Sequence, residues 1–227
     1  MSKMEENFNK KKTIVFIQGN ISSGKSTLIR NLRALGHVVY EEPVDKWLND
    51  YKSRDGVNSL ELFYQDMKKT AFYFQMLSLY TRWNVIKDAL QHESPIVFIE
   101  RSLDTDCNSF ALNLYETQLM DEHEWKLYNH LLKDKKEDVK NLFNDVDVHQ
   151  LYLRTDPKVC YERKYIRNRE EERAIPLVYF QTIHQKHDNW LGTINKIDTI
   201  HILDGNKSID EVLISAQSFI TDYLEYT

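Results

Sequence analysis

Short apolar runs recur along this chain, each followed by a longer stretch in which apolar positions return at helical spacing. The strand-like runs are Thr13–Gln18, His37–Tyr40, Pro95–Glu100, His149–Leu153 and Thr199–Leu203. The first of them, Thr13-Ile14-Val15-Phe16-Ile17, is β-branched and aromatic with no polar alternation, the pattern of a buried parallel strand. Helical periodicity is clearest over Leu60–Ala89, Asp104–Leu119, Glu122–Leu132, Lys158–Arg173, Leu177–Trp190 and Ile209–Tyr226. Leu28, Leu32 and Leu35 mark a further helix that stops at Gly36. Strands alternating with long helices predict an α/β fold on a parallel sheet. In such sheets ligands gather beyond the carboxyl ends of the strands, so chemistry is expected in the residues that follow each run.

Composition narrows the possibilities. The chain has 227 residues, 41% of them hydrophobic, and no Pro/Gly/Ser-rich linker, so one domain over residues 13–227 is expected. Met1–Lys12 is polar, has no apolar stretch and reads as a disordered lead-in. A net charge of −5 with dispersed acidic residues argues against a nucleic-acid polymer as partner and favours a small polar substrate. No apolar run reaches membrane-spanning length. Cys107 and Cys160 offer neither a disulfide scaffold nor zinc spacing, which predicts a reducing, cytoplasmic setting.

The loop after the first run carries the strongest signal. Gly19-Asn20-Ile21-Ser22-Ser23-Gly24-Lys25-Ser26-Thr27 is a complete GxxxxGK[ST] motif between a strand and a helix. That arrangement gathers backbone N–H groups and a positive helix end around one point, where phosphate oxygens can sit. Lys25 would reach the β- and γ-phosphates of a nucleoside triphosphate, and the Ser26 hydroxyl would ligate Mg²⁺. A ligand-free βα turn would need neither Lys25 nor Ser26.

Charged groups also follow the next two runs: Glu41-Glu42-Pro43 after the second and Glu100-Arg101-Ser102 after the third. Each alone is compatible with ordinary loop polarity. Together, beside a phosphate loop, they suit phosphoryl transfer to a hydroxyl, with Glu42 taking the alcohol proton and Arg101 holding the γ-phosphate in line. Glu100 could complete a Mg²⁺ shell through water. Arg163 and Arg167 are four apart on an expected helix and would repel unless an anion such as a triphosphate lies between them. The alternative is a solvated helix whose arginines pair with Glu170 to Glu172. In the aromatic-rich helix Tyr64–Trp83, Gln75, Ser78 and Arg82 share a face that could read a base edge, while Phe72 and Leu79 could anchor another face in the core.

The ordered set formed by Gly19 to Thr27, Glu42-Pro43-Val44 with Trp47, Phe74-Gln75, Glu100-Arg101-Ser102 with Asp106, and Arg163 through Pro176-Leu177 resembles the deoxynucleoside kinase family. The likeness runs from the first strand to about Trp190. It implies a P-loop nucleoside triphosphate hydrolase-like, three-layer fold similar to the thymidylate kinase group: a five-stranded parallel sheet surrounded by helices, with an arginine-rich lid at about 163–175. It also implies ATP as donor, Mg²⁺, and a homodimer formed through the aromatic-rich helix and the one near Asp104–Leu119. Glu42 then corresponds to the general base on the 5′-hydroxyl, and Arg101 to the cation holding that oxygen and the base. Tyr64 and Glu172 correspond to the pair on the sugar 3′-hydroxyl, Gln75 to the base-reading amide and Phe110 to the ring stacked on the base. Val44, Trp47, Leu60 and Phe74 would line the pocket, and Arg163, Arg167 and Arg169 would meet the donor phosphates.

Within that family, Arg82 and Asp106 resemble the deoxycytidine and deoxyguanosine kinases. With the small Ser78 beside them, the expected acceptors are purine deoxynucleosides, then deoxycytidine. Asp104, Cys107-Asn108 and Ala174 depart from the family pattern, and Ile209 falls where a donor-base loop would contact adenine. The acidic segment Asp134–Asp145 carries no readable motif. Among rivals, a GTP-binding switch is suggested by Asn195-Lys196-Ile197-Asp198, but none of the six glycines has an aspartate three residues before it. A nucleoside monophosphate kinase shares the architecture, yet Glu42 would repel its acceptor phosphate. A non-catalytic ATP-binding module would need no base, lid or metal serine.

Overall fold

The five strands are β1 (Lys12–Gln18), β2 (Val38–Tyr40), β3 (Ile96–Glu100), β4 (Val146–Arg154) and β5 (Ile200–Asp204). Their order in the sheet is β2-β3-β1-β4-β5 and every pairing is parallel. The computed structural model describes residues 12–142, 146–192 and 199–224. Residues 1–11 of the expected lead-in and the tetrapeptide Asn195–Asp198 lie outside the described residues. Lys12 belongs to the sheet, not to the lead-in: it opens β1, and its ammonium donates to the carbonyl of Ser94 at 2.7 Å.

The central strand lacks alternation because both of its faces are covered. Val15 and Ile17 meet Leu28, Leu32, Phe219 and Ile220 of α1 (Lys25–Ala34) and α10 (Ile209–Tyr223). Ile14 and Phe16 join the core built with α2 (Val44–Asn49), α3 (Ser59–Gln65), α4 (Met67–Gln91) and α7 (Glu122–Leu142). Burying each such side chain contributes about 1.5–3 kcal/mol, so the two-sided sheet is the rigid platform for whatever projects from its carboxyl edge. The remaining helices are α5 (Leu103–Thr105), α6 (Leu112–Glu116), α8 (Pro157–Arg167) and α9 (Leu177–Gly192).

Three departures from the periodicity have local causes. The helix expected over Leu60–Ala89 is broken at Asp66, whose backbone leaves the helical region at φ −147° and whose side chain accepts from the Lys69 N–H at 3.2 Å. An aspartate that satisfies a helix N-terminus competes with helix continuation. The lid helix expected to reach Arg173 ends at Arg167, because Asn168 adopts a left-handed conformation at φ 53°. A short 3₁₀ turn over Glu170–Glu172 follows it. Finally, α5 and α6 are joined by a π-helical segment, Asp106–Ala111, inside the helix expected from Asp104 to Leu119. Strand β4 begins at Val146, three residues before the expected start, because Lys12 pairs with Val146 and Thr13 with Asp147; the charged Asp147 interrupts the apolar run that Val146 and Val148 would otherwise show.

Candidate active site

A cavity of about 660 Å³ lies at the carboxyl edge of the sheet. Its walls come from the loops after β1, β2, β3 and β5, from the middle of α4, from the π-helical segment and from the lid. One end is the phosphate loop. Gly19 and Gly24 sit at φ +149° and +108°, and a Cβ on Gly19 would come within 2.8 Å of the Leu153 carbonyl and the Ser23 hydroxyl. Asn20 turns away from the cavity, donating to the Phe180 carbonyl at 2.8 Å and accepting from the Ile21 N–H at 2.8 Å. Gly19 and Asn20 thus shape the loop, whereas Ile21, Ser22, Ser23, Gly24, Lys25, Ser26 and Thr27 line the cavity.

Lys25 donates to the carbonyls of Gly19 (3.1 Å) and Asn20 (2.7 Å) and stands 3.9 Å from a Glu100 carboxylate oxygen. Burial, then the Arg101 guanidinium, lowers its pKa from 10.5 to about 7 against the opposing pull of Glu100 and Glu42. The buried hydroxyl oxygens of Ser22 and Ser23 have no partner among the described residues, which leaves both available to a phosphate. Nearby, Arg163 donates to the carbonyls of Ser23 (3.2 Å) and Gly205 (2.9 Å), and so ties the loop after β5 to the phosphate loop. Gly205, Lys207, Ile209 and Val212 complete this end of the cavity.

The other end is organised around Glu42. Its Oε1 accepts from Arg82 Nη2 at 2.8 Å and from Arg101 Nη1 at 3.2 Å. Burial pushes the Glu42 carboxyl up, but the Arg101, Arg82 and Lys25 cations more than reverse this and hold it well below the usual carboxylate range. Arg82, itself fully buried, donates through Nε to Asp106 Oδ2 (2.6 Å), through Nη2 to Asp106 Oδ1 (3.0 Å) and through Nη1 to the Glu100 carbonyl (3.2 Å). Ser78 also donates to Asp106, at 2.9 Å. Gln75 is buried among these groups with no partner for its Oε1, a polar atom left for a ligand.

Aromatic walls flank the polar groups. Trp47 and Phe74 meet edge to face with centroids 5.2 Å apart, and the Trp47 N–H is anchored on Thr81 at 3.0 Å. Phe110 lies under the Arg101 guanidinium at 4.6 Å. The π-helical segment presents both Asp106 and Phe110 to the cavity, and such segments are frequent at functional sites. Val44, Leu60 and Tyr64 complete this wall.

In the lid, Glu172 is the shared partner of two arginines. Arg169 donates to Oε1 at 2.9 Å and Arg167 to Oε2. The pairing considered for a solvated helix is therefore present, but it is largely buried at Glu172 and faces the cavity. Arg163 stays apart from it. Burial also raises the Tyr64 and Tyr179 phenols, and the Glu172 charge adds to both shifts. Tyr179 lines the cavity but has no motif of its own; its position one turn into α9, just after the lid, was the available signal.

No group of three or more His, Cys, Asp or Glu able to hold a metal occurs among the described residues. The oxygen donors present, the exposed Ser26 hydroxyl and the buried Glu100 carboxylate, fit a Mg²⁺ that takes its other ligands from phosphate and water.

The family model for deoxynucleoside kinases matches residues 15–224. The chain belongs to the deoxynucleoside kinase family. Relatives include the probable deoxycytidine kinase of fowlpox virus, 34% identical over 202 residues that cover 87% of this chain and 81% of that protein. Human deoxycytidine kinase is 34% identical over 201 residues, 78% of this chain and 74% of its own. Xenopus laevis deoxycytidine kinase 1 is 34% identical over 197 residues, 78% and 73% respectively. The family match thus spans nearly the whole described chain, and the deoxycytidine kinases that the chain resembles are ATP-dependent nucleoside kinases. No helix among its described residues is long and apolar enough to cross a membrane.

Proposed function

We propose that the kinase transfers the γ-phosphate of ATP to the 5′-hydroxyl of a 2′-deoxynucleoside, within one domain that starts with β1 at Lys12 and runs to residue 227. The observation that carries this reading is the ionised Glu42 carboxylate between Arg82 and Arg101, in the same cavity as the phosphate loop. Glu42 accepts the 5′-hydroxyl proton, and Arg101 holds that oxygen and the carboxylate in register. Arg101 and Arg82, joined by Lys25 when it is protonated, make Glu42 a weak base before the donor binds. A bound triphosphate draws on Lys25 and adds negative charge, both of which raise the basicity of Glu42 when it is needed. Lys25, Arg163, Arg167 and Arg169 hold the donor phosphates, while Ser26 and, through water, Glu100 hold Mg²⁺, which neutralises phosphate charge when bound.

For the acceptor, Tyr64 and Glu172 hold the sugar 3′-hydroxyl and Phe110 stacks on the base. The purine preference expected from Ser78 and Arg82 becomes a preference for an amino-bearing base. Arg82 spends its N–H groups on Asp106, Glu42 and the Glu100 carbonyl, so it has little to offer a base carbonyl. Asp106 Oδ1 receives a single hydrogen bond and Gln75 Oε1 receives none, so both can accept from an exocyclic amine, while the Gln75 Nε2 group donates to the adjacent ring nitrogen. Cytosine and adenine present that pair; thymine and guanine present a carbonyl beside a ring N–H. Deoxycytidine is favoured first, in keeping with the names of the relatives, and deoxyadenosine second.

Glu42→Gln tests the central assignment. It should retain ATP binding and lose turnover by a factor on the order of 10² or more. Turnover close to that of the unaltered enzyme would remove Glu42 from the role of base.

A further inference from the structure

Arg101 occupies a backbone conformation that its residue type disfavours. Its φ is +62°, a left-handed value that a non-glycine residue keeps only where surrounding structure enforces it. One restraint is local: the Arg101 N–H donates to the Ile17 carbonyl at 3.0 Å, extending the pairing of β1 with β3 by one bond. A second lies just beyond, where Ser102 and Thr105 cap each other at the start of α5. Thr105 N donates to Ser102 Oγ at 3.2 Å, and Ser102 N donates to Thr105 Oγ1 at 3.0 Å.

The third restraint comes from Gln18, the fully buried last residue of β1 and the neighbour of the phosphate loop. Its Nε2 donates to Ser102 Oγ at 3.2 Å and to Gln150 Oε1 at 2.8 Å, while its Oε1 accepts from the Thr105 hydroxyl. That acceptance consumes the only Thr105 hydroxyl proton, so in the 3.1 Å contact between the two hydroxyls Ser102 is the donor. One amide therefore joins β4, β1 and the turn that carries Arg101, and it orders the hydroxyl protons of the cap.

We propose that Gln18 is a positioning residue for phosphoryl transfer: through Ser102 and Thr105 it locks the turn after β3, and so aims Arg101 at Glu42. The proposal rests on the role given to Arg101 above. It assigns a function to the residue preceding the phosphate loop that the GxxxxGK[ST] pattern leaves unread.

Gln18→Met keeps the length of the side chain and removes both ends of the amide. The experiment measures kcat, and KM for each substrate, with ATP, Mg²⁺ and the deoxynucleoside that turns over fastest. Ångström-scale misplacement of Arg101 should lower kcat by about 10²-fold, with KM for ATP within about two-fold of the unaltered value because the phosphate loop is intact. Gln18→Glu should recover most of kcat, since a carboxylate accepts from both hydroxyls and Gln150 can turn its amide to donate.

In an Arg101→Ala background, Gln18→Met should change kcat by less than about two-fold, because its effect passes through Arg101. Retained kcat in Gln18→Met, absence of rescue by Gln18→Glu, or independent multiplication of the two substitutions would each overturn the proposal. Unchanged kcat in Arg101→Ala alone would instead overturn the role given to Arg101. Should Gln18→Met fail to fold, Thr105→Val breaks one link of the same network. The same split between kcat and KM is expected there, and retained kcat would count against the proposal.

Discussion

The most direct physical consequence of the phosphate loop concerns protons. Lys25 is wholly enclosed, its ammonium satisfied by two loop carbonyls, and burial together with Arg101 brings its pKa to about 7. A triphosphate in the cavity places negative charge against the ammonium and returns it toward the ordinary lysine value. Above pH 7 the empty enzyme holds Lys25 mainly neutral, so binding must take up a proton; below pH 7 the proton is already present. With the bound form fully protonated, uptake is about 0.9 proton at pH 8, about 0.5 at pH 7 and about 0.1 at pH 6.

The linked affinity then falls about ten-fold between pH 6 and pH 8, equivalent to about 1.4 kcal/mol. Calorimetry of Mg²⁺-loaded ATP binding in buffers of different ionisation enthalpy reads the proton count directly. Mg²⁺-loaded ATP is itself deprotonated across this range, and Lys25→Arg, which stays charged, should abolish the uptake. Zero uptake at pH 8 in the unaltered enzyme, or equal uptake in Lys25→Arg, would refute the reasoning.

Further consequences follow from the acceptor end, the lid and the exposed helices. Arg82→Met combined with Asp106→Ala should change the ratio of deoxycytidine to thymidine turnover by at least about ten-fold, since each lost or misplaced hydrogen bond is worth roughly 1–3 kcal/mol; an unchanged ratio would show that this pair does not select the base. Glu172→Gln should raise KM for the deoxynucleoside by about ten-fold or more through loss of a charge-assisted hydrogen bond, while freeing Arg167 and Arg169 and lowering KM for ATP. A raised KM for ATP would contradict a competition between Glu172 and the donor phosphates for the lid arginines. The exposed Tyr73 and Tyr80 lie on α4, the aromatic-rich helix through which a homodimer is expected. Sedimentation as a 27.1 kDa species would exclude that dimer.

The parts of the fold legible in the sequence are those dictated by neighbours along the chain. The β1 run, the glycines of the phosphate loop and the leucines of α1 announce a strand, a turn and a helix. Two-sided burial and positive φ demand particular residues at particular spacings. The candidate site was legible for a related reason. The phosphate loop, Glu42, Glu100 and Arg101 lie at strand ends, and a parallel sheet brings all its carboxyl ends to one edge. Element boundaries were less legible where a polar side chain ended a helix, as at Asp66 and Asn168, because capping competes with a periodicity that continues across it.

What Arg82 does could not be read from spacing. Placed on one helical face with Gln75 and Ser78, and taken together with Asp106, it looked available to a base; the fold brings Glu42 and the Glu100 carbonyl to it as well, from two further segments, and occupies it. The pKa of Lys25 and the sharing of Glu172 by two arginines have the same origin, since desolvation and charge pairing depend on groups that are distant in sequence. By itself, then, the sequence determined the sheet, the phosphate loop and the family to which the chain belongs, because local sterics and periodicity govern these. The tertiary structure alone decided which donors and acceptors remain unspent at the acceptor end, because a buried hydrogen bond can be made only once and its partners come from across the fold.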